Sequence, residues 1–280
     1  MYLETFRFPI EQEGGLLCQQ MIKNGGSIKY GYVDNQYPCN IFSGKRFYEI
    51  NFEKVTILYG GNGSGKSTAL NLIAEKLRLE RTAPYNSGEM FNSYVEACTF
   101  VCGTDDEGKQ LRIPNGSSII TSDDVFDYML AIRSNNEEIG EEKENARAFW
   151  NEVRSGNFDR EQNILDNFEK YRNTVLARNK NVSRRKFIRK TAGQELRMRS
   201  NGETAIDYFD HRLKNDKLYC LDEPENSLSP KLQLELVKLL ETVTRYCGCQ
   251  LIIATHSPFI MSLPGARIYD LDENPVDIKN

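Results

Sequence analysis

The sequence predicts an α/β fold in which buried strands end in chemically capable residues. The apolar run Val55–Tyr59 leads into a glycine-rich loop. Two later apolar runs, Leu218–Leu221 and Leu251–Ala254, end in a pair of carboxylates and in a Thr-His-Ser-Pro segment. Short apolar runs of this kind suit strands that are buried on both faces. Because ligands bind at the carboxyl edge of open α/β sheets, we expect these strand ends to form one site.

A glycine-rich loop follows the first strand. It matches the phosphate-loop pattern G-x-x-x-x-G-K-[ST], and a helix of about Lys66–Leu77 is predicted directly after it. Glycines let backbone N–H groups converge on phosphate oxygens, and the positive end of the helix points at the same phosphates. We expect Lys66 to reach the β- and γ-phosphates and the Ser67 hydroxyl to ligate Mg²⁺. The predicted nucleotide-binding residues are Gly60, Gly61, Asn62, Gly63, Ser64, Gly65, Lys66, Ser67 and Thr68.

Two adjacent carboxylates, Asp222 and Glu223, end the second apolar run. Such a pair is costly at the end of a buried strand unless a cation or a reaction uses it. Beside a phosphate loop, Asp222 is expected to hold the Mg²⁺ shell, and Glu223 to take a proton from water that attacks the γ-phosphate. His256 follows the third run at the same sheet edge, which favours a functional role over a structural one.

A polar turn, Ser122-Asp123-Asp124, follows a short predicted strand at Ser118–Thr121. An acidic side chain at a strand end that faces the phosphate loop can hold Mg²⁺ or the attacking water, and Asp123 is predicted as this metal ligand. The alternative is that Ser122 or Asp123 caps the helix that begins here. Both interpretations stay open, because each can apply to a different residue of the turn.

A charged helical region separates this turn from the second carboxylate-bearing strand. The predicted helices are Val125–Arg133, Glu142–Ser155 and Glu161–Val175, and the acidic stretch Ile132–Glu144 is expected to be solvated. A basic run comes next, comprising Arg178, Lys180, Arg184, Arg185, Lys186, Arg189, Lys190, Arg197 and Arg199. It is either a solvated helical face balanced by the acidic stretch, or a surface for nucleic-acid phosphates or for the acidic face of a partner.

Weaker patterns complete the predicted fold. The predicted strands are Ser27–Val33, Phe47–Phe52, Ser93–Cys102, Lys109–Ile113 paired with the preceding one, and Ala266–Leu271. An amphipathic helix is predicted at Pro230–Tyr246, and loops at residues 79–92 and in the tail after Asp272. Aromatic residues near the N-terminus either pack in the core or stack on a nucleotide base; they include Phe6, Phe8, Tyr37 and Phe47.

Composition is that of an ordinary soluble globular protein, with 39% hydrophobic and 27% charged residues among 280. The net charge of −4 gives no global basic field that would indicate nucleic-acid binding. The sequence shows neither a signal peptide nor an apolar run long enough for a membrane span, so a cytoplasmic protein is expected. The seven cysteines lack C-x-x-C spacing and are expected to be buried free thiols.

The segments GGNGSGKS, LYCLDEPENSLSP and LIIATHSP together resemble the ABC-class ATPase heads of the soluble SMC-like and RecF-like kind. The resemblance implies an α/β P-loop NTPase head with an antiparallel β subdomain and an inserted helical subdomain. It identifies Gly60–Ser67 as Walker A, Asp222 as Walker B, Glu223 as the catalytic base and His256 as the switch histidine. The implied divisions are 1–122 for the β subdomain and Walker A core, 123–200 for the helical subdomain, and 201–280 for the remaining core.

The family also has a signature helix whose start binds the γ-phosphate of the opposite protomer. The segment that resembles it is Ser200, Asn201, Gly202 and Glu203, although Arg199 replaces the usual Leu and Asn201 the first Gly. Glu225–Ser229 resembles the loop that crosses the dimer interface, and Asp123 takes the approximate place of the Q-loop glutamine. The matching segments cover about a third of the chain.

The resemblance implies an ATPase in which two ATP-Mg²⁺ complexes hold a head-to-tail homodimer together. It suggests a separate effector, such as a nuclease or toxin of a phage-defence or DNA-maintenance system. The alternatives are the ATPase subunit of a membrane transporter, a DNA-repair ATPase that binds nucleic acid, and a regulatory module with little turnover. The THSP segment and the SNGE signature resemble soluble heads, since transporter heads usually show LSGGQ and THD.

Overall fold

The computed structural model describes residues 1–9, 37–39, 41–105, 107–155, 168–180, 182–192 and 200–279. The predicted strand Ser27–Val33 lies outside the described residues. The chain divides into two compact units, one formed by Met1–Phe126 with Asn201–Asn280 and the other by Asp127–Ser200. The domain limits expected at 122/123 and 200/201 stay a prediction.

The first unit contains all nine strands of the described ranges, five whole α-helices and the first residues of a sixth. The strands are β1 (Leu3–Arg7), β2 (Glu49–Asn51), β3 (Val55–Tyr59), β4 (Thr99–Cys102), β5 (Ser118–Thr121), β6 (Leu218–Asp222), β7 (Gln250–Thr255), β8 (Ala266–Asp270) and β9 (Asp277–Lys279). The α-helices of the described ranges are α1 (Lys66–Leu77), α2 (Glu89–Ala97), α3 (Ser122–Ser155), α4 (Phe168–Arg178), α5 (Arg184–Thr191), α6 (Asn201–Arg212), α7 (Pro230–Tyr246) and α8 (Pro258–Met261).

A six-stranded sheet brings the predicted site together. Its order is β5-β6-β7-β3-β8-β9; the first five strands run parallel and β9 is antiparallel to β8. In the register, Asp222 lies beside both Thr121 and Ala254, and Tyr59 lies beside Thr255. The carboxyl ends of β5, β6, β7 and β3 are therefore level, so the segments that follow them meet at one edge. The α/β fold and the buried parallel strands predicted from the apolar runs are confirmed.

A smaller antiparallel sheet, in the order β2-β1-β4, is joined to the large one through Gln250. The Gln250 side chain accepts the N–H groups of Tyr2 and Leu3, each at 2.9 Å, and donates to the Leu3 carbonyl at 2.7 Å. N-terminal aromatic rings fill the adjoining core, in which Phe8 stacks on Phe42 with centroids 4.3 Å apart. Packing in the core is thus the role of Phe6, Phe8 and Phe47, each at most 3% exposed.

The segment predicted as a loop followed by a long strand is partly helical. Glu89–Ala97 forms α2, and only Thr99–Cys102 of the predicted strand Ser93–Cys102 is extended. Phe91, Tyr94 and Val95 are buried, and their spacing of three and four residues places them on one helical face. The prediction used the two-residue period of a strand, but the same apolar residues also fit the 3.6-residue period of a helix. The strand prediction is therefore wrong for the residues of α2.

Three further predictions need correction. The predicted strand Lys109–Ile113 does not form, and a single bridge joins Gln110 to Thr104. The helices predicted at Val125–Arg133 and Glu142–Ser155 are parts of one 34-residue helix, α3. The segment between them, residues 134–141, stays helical although it contains a Ser, two Asn and a Gly, so its weak helix propensity did not end the helix. The tail after Asp272 is not wholly loose, because β9 adds a strand to the edge of the large sheet. The helix prediction at Pro230–Tyr246 is confirmed by α7.

The cysteines are only partly as expected. Cys98, Cys102, Cys220, Cys247 and Cys249 are free thiols, whereas Cys39 is in a disulfide. The prediction of a free thiol is therefore wrong for Cys39, because sequence spacing alone does not show which cysteines the fold brings together.

Candidate nucleotide site

The phosphate loop is held in a conformation that two of its glycines make possible. Gly60 has a φ of 152°, and a Cβ there would lie 2.7 Å from the Ser64 hydroxyl oxygen. Gly65 has a φ of 101° at the start of α1, and a Cβ there would lie 2.8 Å from the Ile41 side chain. Only glycine takes both conformations without strain or collision. The two glycines therefore allow the tight backbone path that the sequence pattern predicts for this loop.

Lys66 lies under this loop and is 4% exposed. Its ammonium group donates to the carbonyl oxygens of Gly60 at 2.7 Å and Gly61 at 2.9 Å, and lies 3.8 Å from the Glu223 carboxylate. A buried ammonium group needs such partners, because burial without them is costly. The charge is thus placed directly behind the loop that would receive phosphates.

Two residues that sequence reasoning missed, Lys45 and Asp272, form hydrogen bonds with the backbone of the loop. Lys45 donates to the carbonyl oxygens of Ser64 at 2.8 Å and Leu271 at 2.5 Å. The Asp272 carboxylate accepts the Gly61 N–H, with N–O distances of 3.0 and 2.8 Å. Asp272 closely follows the end of β8, so its position at a predicted strand end was the available signal. No sequence signal pointed to Lys45.

Ser67 and Asp222 form the pair of oxygen ligands that the sequence predicts for Mg²⁺. The Ser67 hydroxyl donates to the Asp222 carboxylate at 3.0 Å. Mg²⁺ in phosphate sites is typically held by one or two protein oxygens together with the phosphates, so this pair suits it. No group of three or more His, Cys, Asp or Glu residues that could hold a metal occurs among the residues that the structure describes.

Burial raises the pKa of Asp222 from 3.8 to about 6. The Ser67 hydrogen bond and the Lys66 charge lower this pKa, whereas the neighbouring Glu223 and Glu225 carboxylates raise it. A carboxyl group whose pKa is higher in the folded state destabilises that state once it ionises. This penalty is absent below about pH 4, grows as the pH rises to about 6, and stays constant above that value.

Asp222→Asn is therefore expected to stabilise the nucleotide-free protein at about pH 8, by an amount on the order of 2 kcal/mol. The gain should shrink as the pH falls from about 6 to about 4, because the wild-type carboxyl group becomes neutral there. Thermal unfolding at several pH values measures the effect. A constant difference across this range would contradict it. The same variant should lose Mg²⁺-dependent nucleotide binding.

Glu223 occupies a strained position directly after β6. Its φ is 47°, in the left-handed region that non-glycine residues rarely adopt. Its N–H donates to the Ala254 carbonyl at 2.8 Å, and its carboxylate accepts the Asn226 amide at 3.1 Å. Strain of this kind tends to occur at functional sites, where the surroundings hold it. These contacts fix the carboxylate between the Lys66 ammonium and the His256 ring, each 3.8 Å away.

Glu225 anchors the segment that carries His256. Its carboxylate is buried and accepts the Thr255 hydroxyl at 2.5 Å and the His256 N–H at 2.9 Å. The His256 Nδ1 atom lies 3.5 Å from the same Glu225 oxygen, and the ring is half exposed. The other Glu225 oxygen is buried without a hydrogen-bond partner in the described part of the chain. The resemblance placed Glu225 only in an interface loop, and its contact with His256 was missed.

The segment predicted as a signature begins α6. Ser200 directly precedes this helix, and Ser200, Asn201 and Glu203 are exposed. Gly202 is buried, and a Cβ there would lie 2.3 Å from a Leu232 methyl carbon. Its small size therefore lets the first turn of α6 pack against the start of α7. A helix start can bind an anion through its N–H groups. The role of these four residues in binding ATP stays a prediction.

Asp123 is exposed in the first turn of α3. The neighbouring Asp124 is buried instead, and its carboxylate accepts the Ala83 N–H at 3.0 Å and both the N–H and the hydroxyl of Thr121 at 2.8 Å. One interpretation of the sequence has Ser122 or Asp123 capping this helix. In the structure, Asp124 is the residue that binds backbone N–H groups at the helix start. Asp123 is exposed at this helix start, and its assignment to Mg²⁺ stays a prediction.

The parallel sheet, the glycine-rich loop after β3 and the carboxylate pair at the end of β6 together form a candidate nucleotide site of the P-loop kind. Residues 195–262 match the family model described as "AAA domain, putative AbiEii toxin, Type IV TA system". The resemblance to ABC-class, SMC-like ATPase heads is confirmed. No curated protein is significantly similar to this chain. Among the described residues, no helix is both long and apolar enough to cross a membrane.

Solved structures that match this chain include three at low sequence identity, each with a TM-score below 0.5. The SMC head domain from Thermotoga maritima has 14% identity and a TM-score of 0.42, covering 100% of this chain and 98% of that one. An ATP-binding cassette described as a post-hydrolysis dimer bound to ADP and Pi has 15% identity and a TM-score of 0.38, covering 83% and 88%. Stu0660 of Streptococcus thermophilus has 11% identity and a TM-score of 0.41, covering 88% and 75%.

Proposed function

We propose that this protein is a Mg²⁺-dependent ATPase that hydrolyses ATP to ADP and phosphate. The observation that carries the proposal is the position of the Glu223 carboxylate, 3.8 Å from both the Lys66 ammonium and the His256 ring. Glu223 also directly follows Asp222, which is bonded to Ser67. A general base, a phosphate-binding cation and a pair of Mg²⁺ ligands are the groups that phosphoryl transfer to water requires.

Each group has a distinct task in this proposal. The N–H groups of the loop and the start of α1 bind the phosphates, and Lys66 stabilises the charge that develops on them. Ser67 and Asp222 would hold Mg²⁺, which would supply positive charge to offset that of the phosphates. Glu223 accepts the proton of the attacking water. His256 contacts the γ-phosphate from the neighbouring strand end, and Glu225 keeps its backbone in place.

We further propose that two protomers bind head to tail around two ATP molecules. The exposed start of α6 would supply Ser200, Asn201, Gly202 and Glu203 to the γ-phosphate held by the other protomer. Hydrolysis directed by Glu223 would then separate the protomers. We also propose a cytoplasmic role with a separate effector, such as a nuclease or toxin in phage defence or DNA maintenance. The toxin-antitoxin name of the family model that matches residues 195–262 supports the toxin-antitoxin part of this proposal.

Phosphate release by the purified protein tests the ATPase proposal. We expect turnover with ATP and Mg²⁺, and its loss when EDTA removes the metal, because Lys66 would then be the one cation assigned to the phosphates among the site residues named above. Nucleotide binding without turnover would overturn the proposal and favour a regulatory nucleotide-binding module. Activity that requires a co-purified membrane subunit would instead favour a transporter ATPase.

A further inference from the structure

Helix α5 carries five exposed cations: Arg184, Arg185, Lys186, Arg189 and Lys190, here called the basic face. In the part of the chain that the structure describes, none of these side chains has an ion pair or a hydrogen bond. The acidic stretch of α3, expected to balance them, therefore gives them no direct partner. From Arg178 to Lys190, the sequence has seven cations and no carboxylate.

An aromatic cluster fixes the orientation of this helix within the second unit. Phe187 is fully buried, with its ring centroid 5.2 Å from that of Trp150 and 6.3 Å from that of Phe149. Successive residues of an α-helix are rotated by about 100°. Because Phe187 points into the cluster, Arg185 and Arg189 lie on the opposite side of the helix, about 160° around its axis from Phe187. Lys186 lies at about 100° and Lys190 at about 60° from Phe187, and both are exposed as well.

The turn before α5 is also anchored. The Arg154 guanidinium lies over the Trp150 ring, 4.8 Å from its centroid, and donates to the carbonyl oxygens of Ala177 at 3.0 Å and Asn179 at 3.3 Å. The Ser183 hydroxyl caps α5 by accepting the Lys186 N–H at 3.3 Å. The basic face thus belongs to an ordered scaffold, which reduces the entropic cost of binding a ligand.

These charges do not stabilise the helix that carries them. Three cations and no acidic residue occupy its first turn, where the helix dipole favours negative charge. The pairs Arg185/Arg189 and Lys186/Lys190 are like charges four residues apart, each costing about 0.2–0.5 kcal/mol. Helix stability therefore does not explain this arrangement of cations. A polyanionic ligand would be attracted by the positive end of the helix dipole and would offset the repulsion between the cations.

We propose that the basic face binds the phosphate backbone of a nucleic acid without reading its base sequence. Interfaces with proteins have a core of aromatic or apolar anchors. The two apolar residues of the basic helix do not provide one, because Phe187 is buried and Ile188 packs against the same cluster. Backbone phosphates need only cationic and polar groups, so an all-cationic face favours nucleic acid over an acidic protein.

Fluorescence anisotropy with a short duplex DNA and a single-stranded RNA tests the proposal. Each phosphate contact adds about 0.7–0.9 to the slope of log affinity against log salt. Five contacts predict an affinity loss of about 100- to 500-fold between about 50 and about 200 mM salt. Failure of the wild-type protein to bind either probe at the lower salt concentration would overturn the proposal. Equal or tighter binding of polyglutamate would overturn it in favour of an acidic protein partner.

A fourfold variant, Arg185→Gln, Lys186→Gln, Arg189→Gln and Lys190→Gln, leaves one cation of the face. Its affinity should fall only about threefold over the same salt range. A matched control removes the same charge from exposed cations elsewhere, through Lys109→Gln, Arg112→Gln, Lys214→Gln and Lys238→Gln, and should keep the wild-type salt dependence. The double variant Arg185→Lys and Arg189→Lys keeps both positive charges, so it should also keep the wild-type salt dependence. The assignment of nucleic-acid binding to the basic face would be refuted by either of two results. One is a fourfold variant with the wild-type salt dependence, and the other is a control variant whose salt dependence falls as much as that of the fourfold variant.

Discussion

Lys66→Ala is expected to abolish ATP turnover and to weaken ATP binding. The ammonium group is buried behind the phosphate loop, where it is held by two carbonyl oxygens and lies near Glu223. Its removal takes a fixed charge away from the place where the transition-state charge develops, and leaves the Glu223 carboxylate without its nearest cation. Removing one preorganised stabilising group of this type typically costs about 10²–10³-fold in rate.

Lys76→Ala is the matched control, since it removes the same charge from the other end of α1. Lys76 donates to the Glu96 carbonyl at 2.9 Å, away from the loop. The control should bind and hydrolyse ATP as the wild type does, and thermal unfolding should show both variants folded. Phosphate release and a fluorescent-nucleotide titration measure the outcome. Equal ATP affinity and turnover in Lys66→Ala and in the control would refute the Walker A assignment.

The parts of the site that lie at strand ends could be predicted from the sequence. Apolar runs such as Val55–Tyr59 mark strands buried on both faces, and a parallel sheet brings the residues after them to one edge. The proximity of Asp222 to Ser67 and of Glu223 to Lys66 and His256 follows from that single rule.

The remaining contacts could not be predicted because they depend on segments far apart in the chain. Lys45 reaches Leu271 across 226 positions, and Gly61 bonds Asp272 across 211. No local spacing encodes such pairs. Glu225 was missed for a different reason, since the motif suggests a loop residue, whereas its burial and its bond to the His256 N–H appear only in the fold. Helix α2 was missed because its apolar residues fit two periods.

Glu223→Gln is expected to trap an ATP-bound dimer. The substitution keeps the size of the side chain but removes the general base, which typically costs about 10²–10⁴-fold in rate. Lys66, Ser67 and Asp222 are unchanged, so ATP and Mg²⁺ should still bind. If two ATP molecules join the protomers, the dimer should accumulate, and light scattering should show a doubling of mass that requires ATP.

Ser200→Arg in the Glu223→Gln background then tests which surface makes that dimer. Ser200 is exposed directly before α6 and is not part of the phosphate loop. An added bulky side chain there should block the approach of a second protomer's γ-phosphate while leaving ATP affinity of the monomer unchanged. Ser134→Arg, which adds the same side chain at an exposed position of α3, is the control and should leave the dimer intact. A dimer that forms without ATP and that Ser200→Arg does not disturb would refute the head-to-tail arrangement. The ATPase proposal would still stand, because the groups assigned to hydrolysis all belong to one protomer.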